Sequence, residues 1–144
     1  VAYHDSCFYG RYNDLYEPQR KLVQAGGGEV VELGRNRENS FCCGAGGGNF
    51  WREEKEPRVS WNRAAEVMES GAPTLAVSCP FCMAMLEDGL KAQEGFDENP
   101  VAVKHVVELV ADAIPAPASV GPGPGLAEPG LPETAPEREA APGD

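Results

Sequence analysis

Five cysteines in the 144-residue chain stand in three groups: Cys7 alone, the adjacent pair Cys42-Cys43, and the C-x2-C pair Cys79 and Cys82. Between Cys7 and Cys42 lie 34 residues, and between Cys43 and Cys79 lie 35. An odd number with two neighbours in sequence does not suit a disulfide framework; metal or redox chemistry in a reducing compartment does. A structural zinc takes four ligands, usually from two C-x2-4-C pairs, and only one such pair is present. Neighbouring side chains on an extended backbone point in opposite directions, so Cys42 and Cys43 reach two metals of a cluster more readily than one ion. Five thiolates with an adjacent pair therefore point to a polynuclear centre, and iron–sulfur clusters are the thiolate-bound centres of that kind. The competing reading is a zinc-stabilised interaction module with no redox role, whose acidic tail is the operative segment.

The residues beside the cysteines fit the first reading. Gly44, Gly46, Gly47 and Gly48 carry no side chains, so backbone N–H groups can approach sulfur and form an anion-binding concavity. The same run loosely mimics a nucleotide phosphate loop, but it follows a long loop and has no Lys-Ser/Thr ending. Cys79 falls at a predicted helix N-terminus and Cys82 in its first turn, where the dipole favours thiolate; Pro80 stiffens that turn. Phe8, Phe41, Phe50, Trp51 and Phe81 flank the cysteines and would form an apolar shell. His4, three residues before Cys7, could ligate iron as histidine does in Rieske centres, donate a hydrogen bond beside the cluster, or simply pack. Asp5 would orient that imidazole or cap the loop. Arg11, Arg35, Arg37 and Arg52 flank the cysteine loops and either offset cluster charge or face solvent. Met83 and Met85 read as packing beside the CPFC turn.

The elements that must position these groups follow from pattern. Val1–Asp5 reads as a strand leading into the Cys7 loop. A helix over Gln19–Ala25, opened by Pro18, ends at Gly26-Gly27-Gly28. Glu29–Leu33 reads as a β-branched strand, followed by a charged loop to Cys42. A helix from Pro57 to Ser70 places Trp61, Ala64, Ala65 and Met68 on its buried stripe. Thr74–Ser78 is a buried strand that delivers the chain to Cys79, and a helix runs from Pro80 or Phe81 to Gln93. Val103, Val106, Val107 and Val110 make a final amphipathic helix, with His105 on its surface. This order implies an α/β fold: a small parallel sheet flanked by helices, with ligands at the C-terminal edge of the strands. Cys7 and Cys79/Cys82 lie just past strand ends, and the Cys42-Cys43 loop could fold back over the same edge.

Composition divides the chain. Residues 115–144 hold 8 of the 13 prolines and 5 of the 17 glycines and should form a disordered tail, leaving residues 1–114 as the folding unit. The net charge of −11 excludes a nucleic-acid footprint, which needs a clustered basic face. No apolar run approaches the ~20 residues of a membrane-spanning helix. The chain opens without Met, inside a strand, which suggests a piece of a longer protein.

The motifs His4-Asp5-Ser6-Cys7, Ser40-Phe41-Cys42-Cys43-Gly44-Ala45-Gly46-Gly47-Gly48 and Cys79-Pro80-Phe81-Cys82-Met83-Ala84-Met85-Leu86-Glu87-Asp88 carry a family resemblance. Over residues 1 to about 114 the chain resembles the CCG cysteine-rich domain of heterodisulfide reductase B subunits and related Fe–S oxidoreductases. Within that group it most resembles the C-terminal CCG domain of membrane-associated electron-transfer-flavoprotein:quinone oxidoreductase-type proteins. The resemblance implies that Cys7, Cys42, Cys43, Cys79 and Cys82 all ligate one iron–sulfur cluster of the 4Fe-4S type, noncubane in heterodisulfide reductase. It further implies upstream neighbours in the same protein: a second CCG domain and a ferredoxin-like domain. Electrons would pass from a donor such as electron-transfer flavoprotein or a ferredoxin to a quinone or disulfide acceptor. The implied location is cytoplasmic, or at the cytoplasmic face of a membrane through the upstream part.

Overall fold

A computed structural model describes residues 1–53 and 55–115. The tail expected over 115–144 falls outside the described residues from position 116 onward. Strand β2 (Thr74–Val77) sits at the centre of a three-stranded parallel sheet, with β1 (Ala2–Tyr3) on one side and β3 (Ala102–His105) on the other. Ala2 pairs with Leu75 and Tyr3 with Ala76, while Thr74 to Val77 pair in step with Ala102 to His105.

Leu75, Ala76 and Val77 are fully buried, because the sheet is covered on both faces. Side chains alternate along a strand, so Leu75 and Val77 enter one core and Ala76 the other. The first core is closed by α2 (Val59–Glu69) and α3 (Pro80–Lys91) through Ala64, Val67, Leu86 and Leu90. The second, smaller core joins Tyr3 and Ala76 to Val23 of α1 (Glu17–Ala25) and Val106 of α4 (Val106–Ala113). The α/β architecture expected from the element order is thus present, with helices on both faces.

Four local expectations are corrected. The valines at 103, 106, 107 and 110 do not share one helix: Ala102–His105 pairs with β2, and α4 begins at Val106. Helical spacing and a β-branched strand run are hard to separate over so few residues, and the exposed edge of β2 decides for the strand. His105 is not a plain surface residue but the half-buried cap of α4, its Nδ1 accepting from the Val107 amide at 3.3 Å while Glu108 accepts from the His105 amide at 2.6 Å. The expected strand at Glu29–Leu33 shrinks to a single bridge of Val31 with Ala2, since the two-residue β1 offers little edge to pair with. On α2 the buried stripe is rotated: Ser60, Arg63, Ala64 and Val67 face inward, while Trp61 and Met68 are only partly covered. A buried arginine shifts that face away from the purely apolar pattern.

Past β1 the chain is held by a buried ion pair. Arg20 of α1 grips Asp5 with both terminal nitrogens, at 2.8 and 3.0 Å, and reaches Glu32 at 2.7 Å. The Arg37 amide also donates to Asp5, at 2.8 Å. Asp5 therefore caps the cysteine loop, one of the two roles expected of it.

Helices α2 and α3 meet at Gly89, where an added Cβ would lie 3.0 Å from the Ser60 carbonyl oxygen and 3.2 Å from its carbon. In a free helix, replacing glycine gains at most about 1 kcal/mol, but overpacking against backbone costs ~1–3 kcal/mol. Gly89→Val is expected to lower stability by about 2 kcal/mol; a denaturant midpoint equal to or above that of the parent would show that the helices separate freely. Arg20→Met strands Asp5, whose side chain is 3 % exposed, and should cost ~3–5 kcal/mol. Adding Asp5→Asn should recover part of that loss in the same titration, and no recovery would mean that the pair is not coupled.

Candidate metal centre

Because β1 and β2 are parallel neighbours, their C-terminal ends release the chain at one edge. The His4 amide extends the pairing by donating to the Ala76 oxygen at 3.0 Å, and Asp5-Ser6-Cys7 follow. After β2 the chain passes Ser78 to Cys79, whose extended backbone caps α3. Pro80 takes the first turn, where no N–H is needed, and Cys82 lies within it. The third cysteine group arrives on a long loop fastened at Ser40. The Ser40 carbonyl accepts from Arg11 at 3.0 Å, and its hydroxyl donates to the Asp5 carbonyl at 3.3 Å.

The sulfurs converge. Cys43 and Cys82 Sγ lie 3.3 Å apart, and all five cysteines are free thiols. Cys7, Cys43, Cys79 and Cys82 line one cavity of about 480 Å³. Cys7 also lines an adjoining cleft with Cys42, Arg11 and Arg37. The adjacent Cys42 and Cys43 thus face different spaces, with Cys7 bordering both. The three sequence-distant groups meet at the strand edge.

The loop after Cys43 supplies amides. Gly44 N–H donates to Cys42 Sγ at 3.3 Å, and the Ala45 N–H bonds to Cys43. Gly46, Gly47 and Gly48 line the larger cavity. Gly47 and Gly48 have φ of 64° and 77°, conformations that residues with a Cβ rarely adopt. Phe8, Trp51 and Phe81 stand at the cavity and are 62, 80 and 48 % exposed, so they rim it rather than seal it. Phe50 packs edge-on against both Trp51 and Phe81. Phe41 lies instead under Arg35, whose guanidinium is 3.9 Å from the ring centre and also pairs with Glu66.

Hydrogen bonding among the thiols and burial hold Cys42 and Cys43 in their neutral form. The hydrogen bond from Cys43 and then burial raise the Cys42 thiol well above its usual range, against the Gly44 amide. At Cys43 the hydrogen bond with Cys42 lowers the pKa, but the bond to Cys82 and burial outweigh it and push the thiol up to about 12. Thiols this close repel once ionised, and a bound metal removes that penalty. Soft sulfur donors in this number fit a thiolate-bound metal cluster.

His4 is 1 % exposed, and one of its ring nitrogens lies with Cys43 and Cys82 Sγ in a group whose atoms are all within 4.8 Å of one another. Burial, and then the Arg63 guanidinium, hold its pKa down at about 3, so the imidazole is neutral. Arg63 Nε donates to His4 Nδ1 at 3.1 Å, whereas Nε2 has no partner among the described residues. Arg63, and not Asp5, therefore orients the imidazole. Arg63 also donates to the Arg35 carbonyl at 2.7 Å, to Glu66 and to Ser40 Oγ. Of the four arginines singled out by their position, Arg11 and Arg37 line the smaller cleft, Arg35 covers Phe41, and Arg52 is exposed. Arg20 and Arg63 are not evident from sequence, because a charged residue in a helix pattern reads as solvated. The apolar stripe expected on α2 leaves Arg63 off its inward face, so no signal in the sequence marks it.

Known proteins resemble this chain in the same region. Residues 1–87 match the family model described as "CCG: Cysteine-rich domain". The chain is 40 % identical over 116 residues to "Probable iron-sulfur-binding oxidoreductase FadF" of Bacillus subtilis, covering 79 % of this chain and 16 % of that protein. It is 38 % identical over 122 residues to "EtfAB:quinone oxidoreductase" of Syntrophomonas wolfei, covering 79 % and 17 %. It is 33 % identical over 116 residues to one component of the dihydromethanophenazine:CoB–CoM heterodisulfide reductase of Methanosarcina barkeri, covering 79 % and 27 %. The chain thus spans between about a sixth and a quarter of the length of these relatives. No solved structure is a significant match. With its three cysteine groups gathered at the edge of a parallel sheet, the chain belongs to the CCG cysteine-rich domain family.

Proposed function

We propose that this chain is an iron–sulfur electron-transfer domain of an oxidoreductase, with Cys7, Cys42, Cys43, Cys79 and Cys82 holding one cluster of the 4Fe-4S type. The observation that carries the reading is the meeting of thiols from three remote stretches around Cys7, which borders both the cavity of Cys43, Cys79 and Cys82 and the cleft of Cys42. Five sulfur donors exceed what a tetrahedral zinc takes. Bound there, the cluster supplies one-electron storage and release. The chain's own residues set the conditions for it. Amides of Gly44 and Ala45 donate to sulfur, Gly46 and Gly47 leave the wall open, and Pro80 fixes the turn that aims Cys79 and Cys82.

The described residues lining the larger cavity include no carboxylate, lysine or arginine. That composition supports electron relay rather than acid–base work on a bound substrate. The names of the relatives support a flavoprotein donor and a quinone or disulfide acceptor; a ferredoxin-type donor is the other one that the family resemblance implies. In this reading the domain works beside further domains of one protein, a second CCG domain and a ferredoxin-like domain among them. Free thiols suit the cytoplasm, or the cytoplasmic face of a membrane. Among the described residues no helix is long and apolar enough to cross one.

Reconstituted without oxygen, the chain should turn brown and carry about four irons and four sulfides. Cys43→Ser should lower iron content or change the electron paramagnetic resonance signal. A colourless protein with one zinc per chain would contradict the reading, and wild-type iron and spectra in Cys43→Ser would remove the fifth ligand from it.

A further inference from the structure

His4 and Arg63 are buried and lie beside the sulfurs, yet neither is needed to supply a thiolate. Arginine has five N–H donors and no acceptor, so whatever atom faces Arg63 Nε must offer a lone pair. That atom is His4 Nδ1, at 3.1 Å. A neutral imidazole with a lone pair on Nδ1 carries its single proton on Nε2. Arg63 cannot swing aside easily, since it is fully buried and also donates to the Arg35 carbonyl, Glu66 and Ser40 Oγ.

The consequence is an Nε2–H that is sealed from water and lacks a partner among the described residues. A buried donor left without an acceptor is unfavourable. The sulfurs are close by: one His4 nitrogen and the Sγ atoms of Cys43 and Cys82 all lie within 4.8 Å of one another, wider than a hydrogen bond to sulfur, and with Nδ1 engaged by Arg63 the Nε2–H is the group left to close on them. A metal ligand must present a lone pair, which Nε2–H does not have.

We propose that Arg63 fixes His4 as the Nε2–H tautomer, and that His4 donates this N–H to the sulfurs at Cys43 and Cys82 instead of ligating metal. The identity of the acceptor, a cluster-bound thiolate, rests on the function proposed above; the tautomer rests on protein geometry alone. His4 is then a positioning and tuning residue. A hydrogen bond to cluster sulfur disperses the negative charge that reduction adds, so it raises the reduction potential. Arg63 acts through His4 by deciding which nitrogen holds the proton.

The test uses the full chain labelled with nitrogen-15 histidine. In the metal-free protein under anaerobic conditions, nitrogen-15 magnetic resonance should show His4 Nε2 protonated and Nδ1 bare, with His4→Leu assigning the signals; a protonated Nδ1 overturns the proposal. In the reduced, iron-loaded chain, pulsed electron paramagnetic resonance should show a weak nitrogen coupling with an exchangeable proton. A coupling of the strength of direct ligation, or none at all, overturns it. His4→Leu should keep wild-type iron and sulfide and shift the reduction potential downward; lost iron or an unchanged potential overturns it. An iron-free wild-type chain would end the cluster reading instead, and the nitrogen signals would still decide the tautomer.

Discussion

Two parallel strands that share hydrogen bonds release their chains at the same edge, and a two-residue β1 paired to β2 is enough to do so here. That pairing sets His4 to Cys7 beside Ser78 to Cys82, segments remote from each other in sequence. The covalent order alone could not bring these thiols together. Burial of Leu75, Ala76 and Val77 between two helical layers keeps β2 central, so the position of the cysteines is inherited from the apolar core. The metal centre is in this sense a property of sheet topology, like other ligand sites at the C-terminal edge of open α/β sheets.

A buried guanidinium stands on either side of that edge. Arg20 holds Asp5 and so shapes the turn before Cys7; Arg63 holds His4 and Ser40 and so joins β1 to the loop that brings Cys42 and Cys43. Such charges contribute little net stability over an apolar core of the same volume. Their value is positional, because each guanidinium has several donors in fixed directions and can hold separate loops in one register. The interior beside the cysteines is therefore polar and ordered, while the cavity rim is aromatic and exposed.

The parts legible in the sequence are those with a one-residue or two-residue cause. Cys79-Pro80-Phe81-Cys82 can be placed at a helix start because proline needs no N–H there, and Thr74–Ser78 can be read as a buried strand from its apolar run, one residue longer than β2. The adjacent Cys42 and Cys43 are read from the sequence as reaching two metals of one cluster; in the structure their thiols hydrogen-bond to each other while bordering different spaces. What escapes depends on partners far along the chain. Ala102–His105 is a strand only because β2 has a free edge, and Glu29–Leu33 loses its ladder because β1 is so short. Arg63 is hidden because its burial depends on His4, Arg35, Ser40 and Glu66 coming together around it. Long-range polar pairing leaves no periodic trace.

The most direct test is anomalous diffraction at the iron edge from crystals of the chain grown without oxygen. The structure leads us to expect several iron sites close together in the space bounded by Cys7, Cys43, Cys79 and Cys82, with Cys42 bound from the adjoining cleft. A single ion held by four ligands, or a Cys7 sulfur bound to no metal, would contradict it.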